Sequence, residues 1–527
     1  MRRALWVSCL VAAMSLPVYA FAGVQITNTV EGAWNGDNDN GCPTCRPYDD
    51  NYGYIINKLN LVGSSGDIST WIRLDAWRYF RRPTTAYKGK ILPERLQISY
   101  KMGDFKLTVG DFYKQLGRGL VLSYRKGDEV SADTAMRGAE LIYSASGHKA
   151  VAFGGYRNQA NFDPVTKLYY EDDNDALAGF QYEYQNFELL NIGMHGLFYQ
   201  PAWRRVESFS NGDQVTEFSY FENYLTGGLY VDAPDLTEWL GFYAESNVQR
   251  RYRNPGEVVE VFGQKEVQES SAELAHGSYA SVSMYLGDFQ FVSEFVHLEG
   301  LNQVDTEQGG LRTLDIRPPT LVRLQDEITS VSDVTGGSGR LEYYIEDYEL
   351  TFSATGSYRL NGVDRNIHEL LGYGGVEWSY DMGRSRLKAE FGYWNTKADG
   401  ELIKDKAFLY ADWVQHVSGK WSIQTITDTE YRMHEDYIRG STYLTLLKSG
   451  WGDVTFEFGH DRDQNDSDGE TGEMQLFYAG TVSVDVIDGW KIRGTGGSQR
   501  GGLKCIAGVC RWFPPFAGGR LEIVSRF

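Results

Sequence analysis

The residues of this 527-residue chain that could do chemistry are concentrated in one stretch near its first quarter. Gly117 and Gly119 flank Arg118 inside a run that otherwise alternates like a β-strand. Glycines inside a strand indicate a bulge, a bend or the close approach of another backbone. Basic side chains at Arg125 and Arg137 follow, in a chain that is acidic on average. These residue types can form an ion-pair network around a bend.

Acidic residues lie close to the same stretch and are candidate partners for its arginines. They are Asp111, Asp128, Glu129 and Asp133, and Lys126 adds one further cation. Two interpretations remain open. In the first, the bend turns inward and shapes the lumen of a barrel through Asp111, Gly117, Arg118, Gly119, Arg125 and Arg137. In the second, the stretch is a structural barrel corner whose ion pairs are all satisfied.

Residues 109–147 carry the pattern GDFY, GRGL, RK, DT and RG in that order. This pattern resembles a family of outer-membrane porin-like proteins, some of which are encoded beside multihaem cytochromes in metal-respiring bacteria. The resemblance implies a β-barrel that is either a solute channel or the sheath of a porin–cytochrome conduit for extracellular electron transfer. A multihaem c-type cytochrome is therefore one implied partner.

Four cysteines follow the N-terminal apolar segment, as Cys42 and Cys45 in CPTC and Cys505 and Cys510 in CIAGVC. An even number in an exported chain favours disulfides, and the three possible connectivities stay open. A four-cysteine metal site and a redox-active CPTC are the alternatives. Arg46 stands where covalent haem attachment needs histidine, so we predict no haem bound by the chain itself.

Signals for catalysis and metal binding are weak. The eight histidines are scattered, and none lies in a recognisable motif with a nucleophile. The acidic run 461–470 lacks the glycine and the final glutamate of an EF-hand calcium loop. We predict no catalytic residue, no cofactor and no metal, and we keep a hydrolase at the barrel rim as a minor alternative.

The N-terminus has the form of a bacterial signal peptide. Arg2 and Arg3 precede the apolar stretch 4–18, and Ala20-Phe21-Ala22 supplies a small-x-small cleavage site. We predict a signal peptide at 1–22. No later apolar run reaches the ~20 residues that a membrane helix needs, so any membrane crossing must be made by strands.

Alternation of apolar and polar residues continues nearly throughout the chain. Residues 387–393 are one example, and the last nine residues, which end on Phe527, are another. Short turns recur roughly every 35–45 residues, which is about two membrane strands and one longer loop. Long polar stretches such as 301–337 and 396–405 separate these pairs.

This spacing predicts an all-β fold, a single large antiparallel transmembrane β-barrel of about 24 strands (22–26) over residues 23–527. Its short turns are expected in the periplasm and its long loops outside the cell, in a Gram-negative outer membrane. No repeated blade motif favours a propeller, and no linker separates sandwich domains. The bilayer is the first partner. The net charge of −20 argues against nucleic acid and leaves small solutes or ions.

Three placements follow from closing such a barrel. The terminal strand should pair with residues 24–33, and the CIAGVC loop should then face CPTC across the seam. The stretch 301–337 either folds inward as a constriction or stays outside, and we favour the second. Carboxylates lining the lumen would give a cation preference.

Overall fold

The computed structural model is a closed antiparallel β-barrel, as the sequence predicts. The structure describes residues 23–527 except 37–50, 81–88, 128–131, 162–174, 186–188, 202–204, 212–213, 256–259, 262–263, 266–270, 302, 306–310, 314–332, 363, 435, 463–473, 501, 507–508 and 514–515. Among these residues, no helix is long and apolar enough to cross a membrane. The predicted signal peptide, Cys42 and Cys45 lie outside the described residues.

The main sheet contains 26 strands, of which Lys126–Gly127 and Arg205–Asn211 are short additions that pair with one wall strand each. The remaining 24 form the wall. They are β1 Val24–Asn35, β2 Tyr52–Ser65, β3 Ile68–Phe80, β4 Lys90–Met102, β5 Phe105–Phe112, β6 Ala132–Ala145, β7 His148–Gln159, β8 Ala176–Tyr184, β9 Asn191–Gln200, β10 Gln214–Thr237, β11 Leu240–Pro255, β12 Ser271–Leu286, β13 Phe289–Glu299, β14 Val334–Ile345, β15 Leu350–Asn361, β16 Ile367–Tyr380, β17 Ser385–Ala398, β18 Glu401–Ser418, β19 Trp421–Arg432, β20 Tyr437–Lys448, β21 Gly452–Arg462, β22 Met474–Ile487, β23 Trp490–Gln499 and β24 Phe516–Arg526.

Each wall strand pairs with the next along the chain, and β24 pairs with β1 to close the barrel. The closing register runs from Thr27 opposite Arg526 to Asn35 opposite Gly518. The predicted pairing of the C-terminal strand with the first strand is therefore confirmed. Closure leaves no exposed sheet edge, which is the condition for spanning a membrane with strands.

Short turns connect the strands at one end of the barrel, often through a glycine with positive φ. Gly66, Gly103, Gly147 and Gly287 have φ between 57° and 77°, a region open to glycine at little steric cost. Two sequence predictions are wrong in detail. The turn expected at 232–236 lies between Thr237 and Leu240, beyond a register irregularity in β10. The loop expected at 396–405 is a turn between β17 and β18.

The two faces of the wall differ in the way that alternation predicts. On β11, Tyr243, Glu245 and Asn247 are buried, whereas Phe242 and Val248 on the opposite side are exposed. Exposed apolar side chains face the lipid, and the polar residues between them face the interior. A wide barrel would leave its interior side chains in water. The buried residues of β11 are covered from inside the barrel by a second layer of protein.

Candidate functional site

That second layer is formed by residues 113–127, which we call the insertion. β5 has eight residues, fewer than the 13 of β4 and the 14 of β6 on either side. After Phe112 the chain leaves the wall and folds into a small hairpin, in which Lys114–Leu116 pairs with Leu122–Tyr124. The chain rejoins the wall at β6, after Lys126–Gly127 has paired with its first two residues.

Two glycines build the tip of the insertion. Gly117 has φ of 51° and Gly119 has φ of 94°, and the Gly119 N–H donates to the Leu116 carbonyl at 2.9 Å. Both φ values lie where β-carbons are disfavoured. A β-carbon on Gly117 would also lie 2.3 Å from a carboxylate oxygen of Glu245. The predicted bend at Gly117-Arg118-Gly119 is thus a tight turn pressed against a distant strand.

The apolar side of the insertion is completely buried. Leu116, Leu120, Val121 and Leu122 have no exposed surface, and Tyr124 is 1% exposed. They belong to one apolar cluster with inward-facing tyrosines of β9 to β12: Tyr199, Tyr224, Tyr230, Tyr243 and Tyr279. Leu298 of β13 and Val334 of β14 are in the same cluster. A segment between β5 and β6 reaches the inward side chains of β14 only from inside the barrel.

Glu245 of β11 receives the tip of the insertion. One oxygen, Oε2, accepts the Arg118 backbone N–H at 2.8 Å and the Tyr243 hydroxyl at 2.6 Å. The other, Oε1, accepts the Asn247 side-chain amide at 3.0 Å. Asn247 also contacts His195 Nε2 through Oδ1 at 2.7 Å. The carboxylate is 3% exposed, so three hydrogen bonds replace the water that it loses.

The Arg118 side chain extends from the tip toward open space. Its guanidinium lies 4.5 Å from the centre of the Tyr243 ring, a cation–π distance, and 3.9 Å from an Asp232 oxygen. Its side chain is 48% exposed, unlike the buried leucines beside it. The insertion therefore presents a cation to the lumen and its apolar face to the wall.

The start of the insertion is held by a buried ionic cluster around Asp133 of β6. Its carboxylate accepts Arg73 at 2.7 Å, Arg95 at 2.9 Å and the Tyr113 hydroxyl at 2.8 Å. Arg73 also contacts Asp75 at 2.7 Å. Burial, followed by the negative charge of Asp133, raises the pKa of the Tyr113 hydroxyl above its usual range, so it stays a donor.

Lys114 is the only lysine within the hairpin strands of the insertion. Its ammonium lies 3.1 Å from Glu140 of β6 and 5.3 Å from the centre of the Phe153 ring. Burial lowers the pKa of Lys114 below its usual range, although Glu140 acts in the opposite direction. Its charge state is thus linked to whether the insertion is docked.

The early exit of β5 leaves the upper parts of β4 and β6 without a strand between them. Asp111 bridges this gap. Its carboxylate accepts the Leu96 backbone N–H at 2.6 Å, Arg137 through two bonds of 3.0 Å each, and the Asn158 amide at 2.6 Å. Asp111 is completely buried. Side-chain bonds here satisfy backbone groups that a longer β5 would have paired.

The structure divides the predicted basic cluster into separate sites. Asp111 pairs with Arg137 at the wall, whereas Arg118 lies at the tip beside Asp232. Arg125 is exposed, and its backbone carbonyl accepts the Thr134 N–H at 3.3 Å. Asp128 and Glu129 lie outside the described residues. Sequence reasoning missed Glu245, because no local pattern links it to a turn more than 120 residues earlier.

The remaining predicted sites are only partly described. The short hairpin formed by Gly502–Ile506 and Val509–Phe513 places Cys505 opposite Cys510 in backbone register. The disulfide connectivity of the four cysteines stays a prediction. The acidic loop 463–470 and most of 301–337 lie outside the described residues. Within the described part of the chain, no group of three His, Cys, Asp or Glu is placed to hold a metal ion.

No protein-family model matches this chain, and no curated protein sequence matches it. Solved structures match in shape. The siderophore receptor PirA from Pseudomonas aeruginosa is 6% identical, with a TM-score of 0.50 over 96% of this chain and 80% of its own. The P pilus usher PapC translocation pore is 9% identical, with a TM-score of 0.43 over 96% and 99%. The ferric-catecholate import receptor Fiu from E. coli K12 is 10% identical, with a TM-score of 0.45 over 96% and 81%.

At such low identity, the likeness to PirA shows the fold alone. The chain has the fold of a large barrel like those of Gram-negative outer membranes, in which strands make every membrane crossing. The structural neighbours are receptors and a translocation pore and not enzymes.

Proposed function

We propose that this chain is an outer-membrane channel that passes small solutes or ions, and that the insertion sets the width and charge of its path. The observation that carries the proposal is the docking of residues 113–127 on the inner wall. A segment that lies inside the lumen narrows it more effectively than a loop that lies above it. Residues 1–22 are proposed to be removed during export.

Exposed charges lie along this path on more than one part of the wall. Arg118 and Asp232 are partly exposed on the side of the insertion. On the far side, Lys388 pairs with Glu390 at 3.0 Å. A path with mixed charge suits hydrated ions and small polar solutes, since both signs find partners along it. Neither sign dominates locally, so the overall acidity of the chain predicts only a weak cation preference.

The cytochrome sheath implied by the sequence resemblance is less well supported. A cytochrome inside the barrel needs the volume that the insertion occupies. Displacing the insertion would expose Leu116, Leu120 and Leu122 to water, which is unfavourable by about 1.5–3 kcal/mol for each side chain. Haem absorbance in protein purified from its native membrane would support the cytochrome sheath in place of the channel.

Single-channel recording in planar bilayers tests the proposal. The mature protein should conduct, and replacing residues 115–123 with two glycines should raise the conductance several-fold because the lumen widens. The matched control deletes residues 506–509 from the hairpin formed by Gly502–Ile506 and Val509–Phe513, a two-stranded sheet separate from the wall. Equal conductance of the wild-type protein and the insertion deletion would show that the insertion does not bound the path.

A further inference from the structure

A polar cluster lies on the outward face of β11 to β14, on the side of the wall away from the insertion. Ser246 of β11 and Ser278 of β12 are on this face, because the residues beside them, Glu245 and Tyr279, point inward and are buried. His276 lies two residues before Ser278 and shares its face. Four strands of alternation thus place serine and histidine side chains toward the lipid.

The cluster lies at the outer edge of the apolar band, because Arg250, His297 and Glu299 face outward beside it. Leu274, two residues nearer the cell surface than His276, is 77% exposed. Phe295, on the periplasmic side, is 48% exposed. His276 is ten residues from Leu286 at the periplasmic end of β12, about 25 Å along the barrel axis for a tilted strand. This height corresponds to the outer leaflet.

Polar side chains are tolerated at this edge, which is also the level at which a serine beside a histidine can meet the ester groups of lipids. The wall does not need them for strand pairing, because every position is held by backbone hydrogen bonds of the sheet. Outward positions nearer the periplasm are mostly apolar, such as Phe242, Ala244 and Val282, whereas His297, Glu299 and Thr335 share the level of the cluster. The two serines and His276 thus belong to a polar belt above the apolar part of this face.

The geometry of the cluster is that of a nucleophile beside a general base. Ser278 Oγ lies 3.1 Å from His276 Nε2, and Ser246 Oγ lies 3.2 Å from the same nitrogen. The two serine oxygens are 3.3 Å apart. Glu299 stands opposite His276 in the backbone register of β12 and β13, and its carboxylate lies 3.8 Å from Nε2 of His297. The His297 ring is 5.6 Å from the His276 ring, so a second imidazole adjoins the pair.

We propose that Ser278 and His276 are the nucleophile and the general base of a site that cleaves carboxylic esters of membrane lipids in the outer leaflet. Lipid covers this face of the barrel up to the cluster, where interfacial water also reaches it, and an acyl ester is the electrophile that membrane lipids present at this depth. Ser246 is a positioning residue that holds Ser278 and the His276 ring together. The activity is separate from conduction, since the site and the lumen are on opposite faces of the wall.

The reaction is an acyl transfer to serine followed by hydrolysis. Ser278 Oγ attacks the ester carbonyl while His276 Nε2 takes the hydroxyl proton. The C–O bond of the ester then breaks, and the departing alkoxide receives that proton from His276 and leaves as the lyso-lipid alcohol. Water adds to the acyl-serine with His276 again as base, which releases the fatty acid and restores Ser278. No oxidant, reductant or metal is required.

The test uses the full mature barrel in liposomes, with a fluorophosphonate probe and with acyl-labelled phosphatidylethanolamine. The probe should label Ser278, and fatty acid should be released. Ser278→Ala and His276→Gln should each lower release by about a thousandfold, the usual effect of losing a member of such a pair. Ser246→Ala should lower it less, with recovery in Ser246→Thr. Parallel liposomes carrying lipopolysaccharide in place of phospholipid distinguish the two lipid classes.

Ser293→Ala is the matched control, because Ser293 is an outward serine of β13 whose hydroxyl donates to the Ser338 carbonyl at 3.2 Å. It should keep full activity. Unchanged channel conductance in the Ser278 and His276 variants shows that each barrel has folded. Absence of release from both lipids, or labelling of Ser246 in place of Ser278, would overturn the assignment.

Discussion

The wall from β6 to β14 and the wall from β15 to β24 satisfy their inward-facing polar and charged side chains in different ways. Under the insertion, inward residues are mostly tyrosines and neutral polar groups around Glu245. On the other part of the wall, inward charges pair between neighbouring strands. Examples are Arg359 with Glu369 at 3.2 Å, Arg386 with Asp412 at 2.7 Å, Arg439 with Glu430 at 2.7 Å and Arg493 with Glu522 at 3.6 Å.

The difference follows from what covers each surface. A layer of protein can bury aromatic rings and replace water with a few directed hydrogen bonds, as it does at Glu245. The contacts of the insertion described above lie on β6 to β14, whereas on β17 to β24 inward charges neutralise one another. The type of inward-facing residue thus indicates which part of the wall the insertion contacts.

The largest expected effect comes from breaking the contact between the two layers at its tightest point. Gly117→Leu adds a side chain within 2.3–2.5 Å of the Glu245 carboxylate, at a positive φ. We expect the docked insertion to lose about 3 kcal/mol, a shift of roughly a hundredfold toward the undocked state. Single-channel conductance should rise. Gly103→Leu is the control, because Gly103 also has positive φ but meets nothing within 4 Å; the comparison fails if both variants behave alike.

Removing the anchor carboxylate should have a smaller effect. Glu245→Ala leaves the Arg118 N–H, Tyr243 and Asn247 without their acceptor, and we expect about 1–3 kcal/mol loss of docking. Hydrogen exchange at the Arg118 amide should accelerate by one to two orders of magnitude. Glu457→Ala removes a buried carboxylate from the other part of the wall, where it accepts Gln499 at 2.7 Å. Faster exchange at Arg118 in that variant would contradict the assignment of Glu245 as anchor.

The charge on the tip should affect selectivity more than stability. Arg118→Ala removes a half-exposed cation from the lumen, so the reversal potential in a salt gradient should move toward greater cation preference. Arg386→Ala removes an equally exposed cation that is paired with Asp412, and it leaves that carboxylate uncompensated. A shift in the Arg386 variant with none in the Arg118 variant would place the selective region away from the insertion.

The smallest expected effect is that of pH on docking. Burial lowers the pKa of Lys114 from its usual 10.5, so the undocked insertion binds this proton more tightly than the docked one. Raising the pH toward 10.5 should therefore favour docking and reduce conductance. Lowering the pH through the docked-state pKa should weaken docking until Lys114 is protonated in both states. The pH dependence should disappear in Lys114→Met, and its persistence there would assign it to another group.

The sequence predicts the part of this architecture that depends on local periodicity. Alternation in residues 519–527 predicts β24, and the order of the strands predicts its pairing with β1. Gly117 and Gly119 predict a bend, because glycine within a strand often marks a bulge or a tight bend of the backbone. The sequence does not predict which strand the bend contacts. Glu245 is one inward carboxylate among many, and only the closed barrel shows that the tip of the insertion contacts it.

Contact between Arg118 and Glu245 also has a consequence for the order of events during assembly. The insertion follows β5, but its anchor is on β11, six strands later in the chain. Such a long-range contact forms late, because the intervening strands must first be ordered. Until β11 and β12 are in place, the leucines of the hairpin lack Tyr243 and Tyr279 of their cluster and are prone to aggregate. The nascent barrel therefore passes through a wide-open stage, and periplasmic chaperones that shield apolar surface should be needed most between the addition of β5 and that of β11.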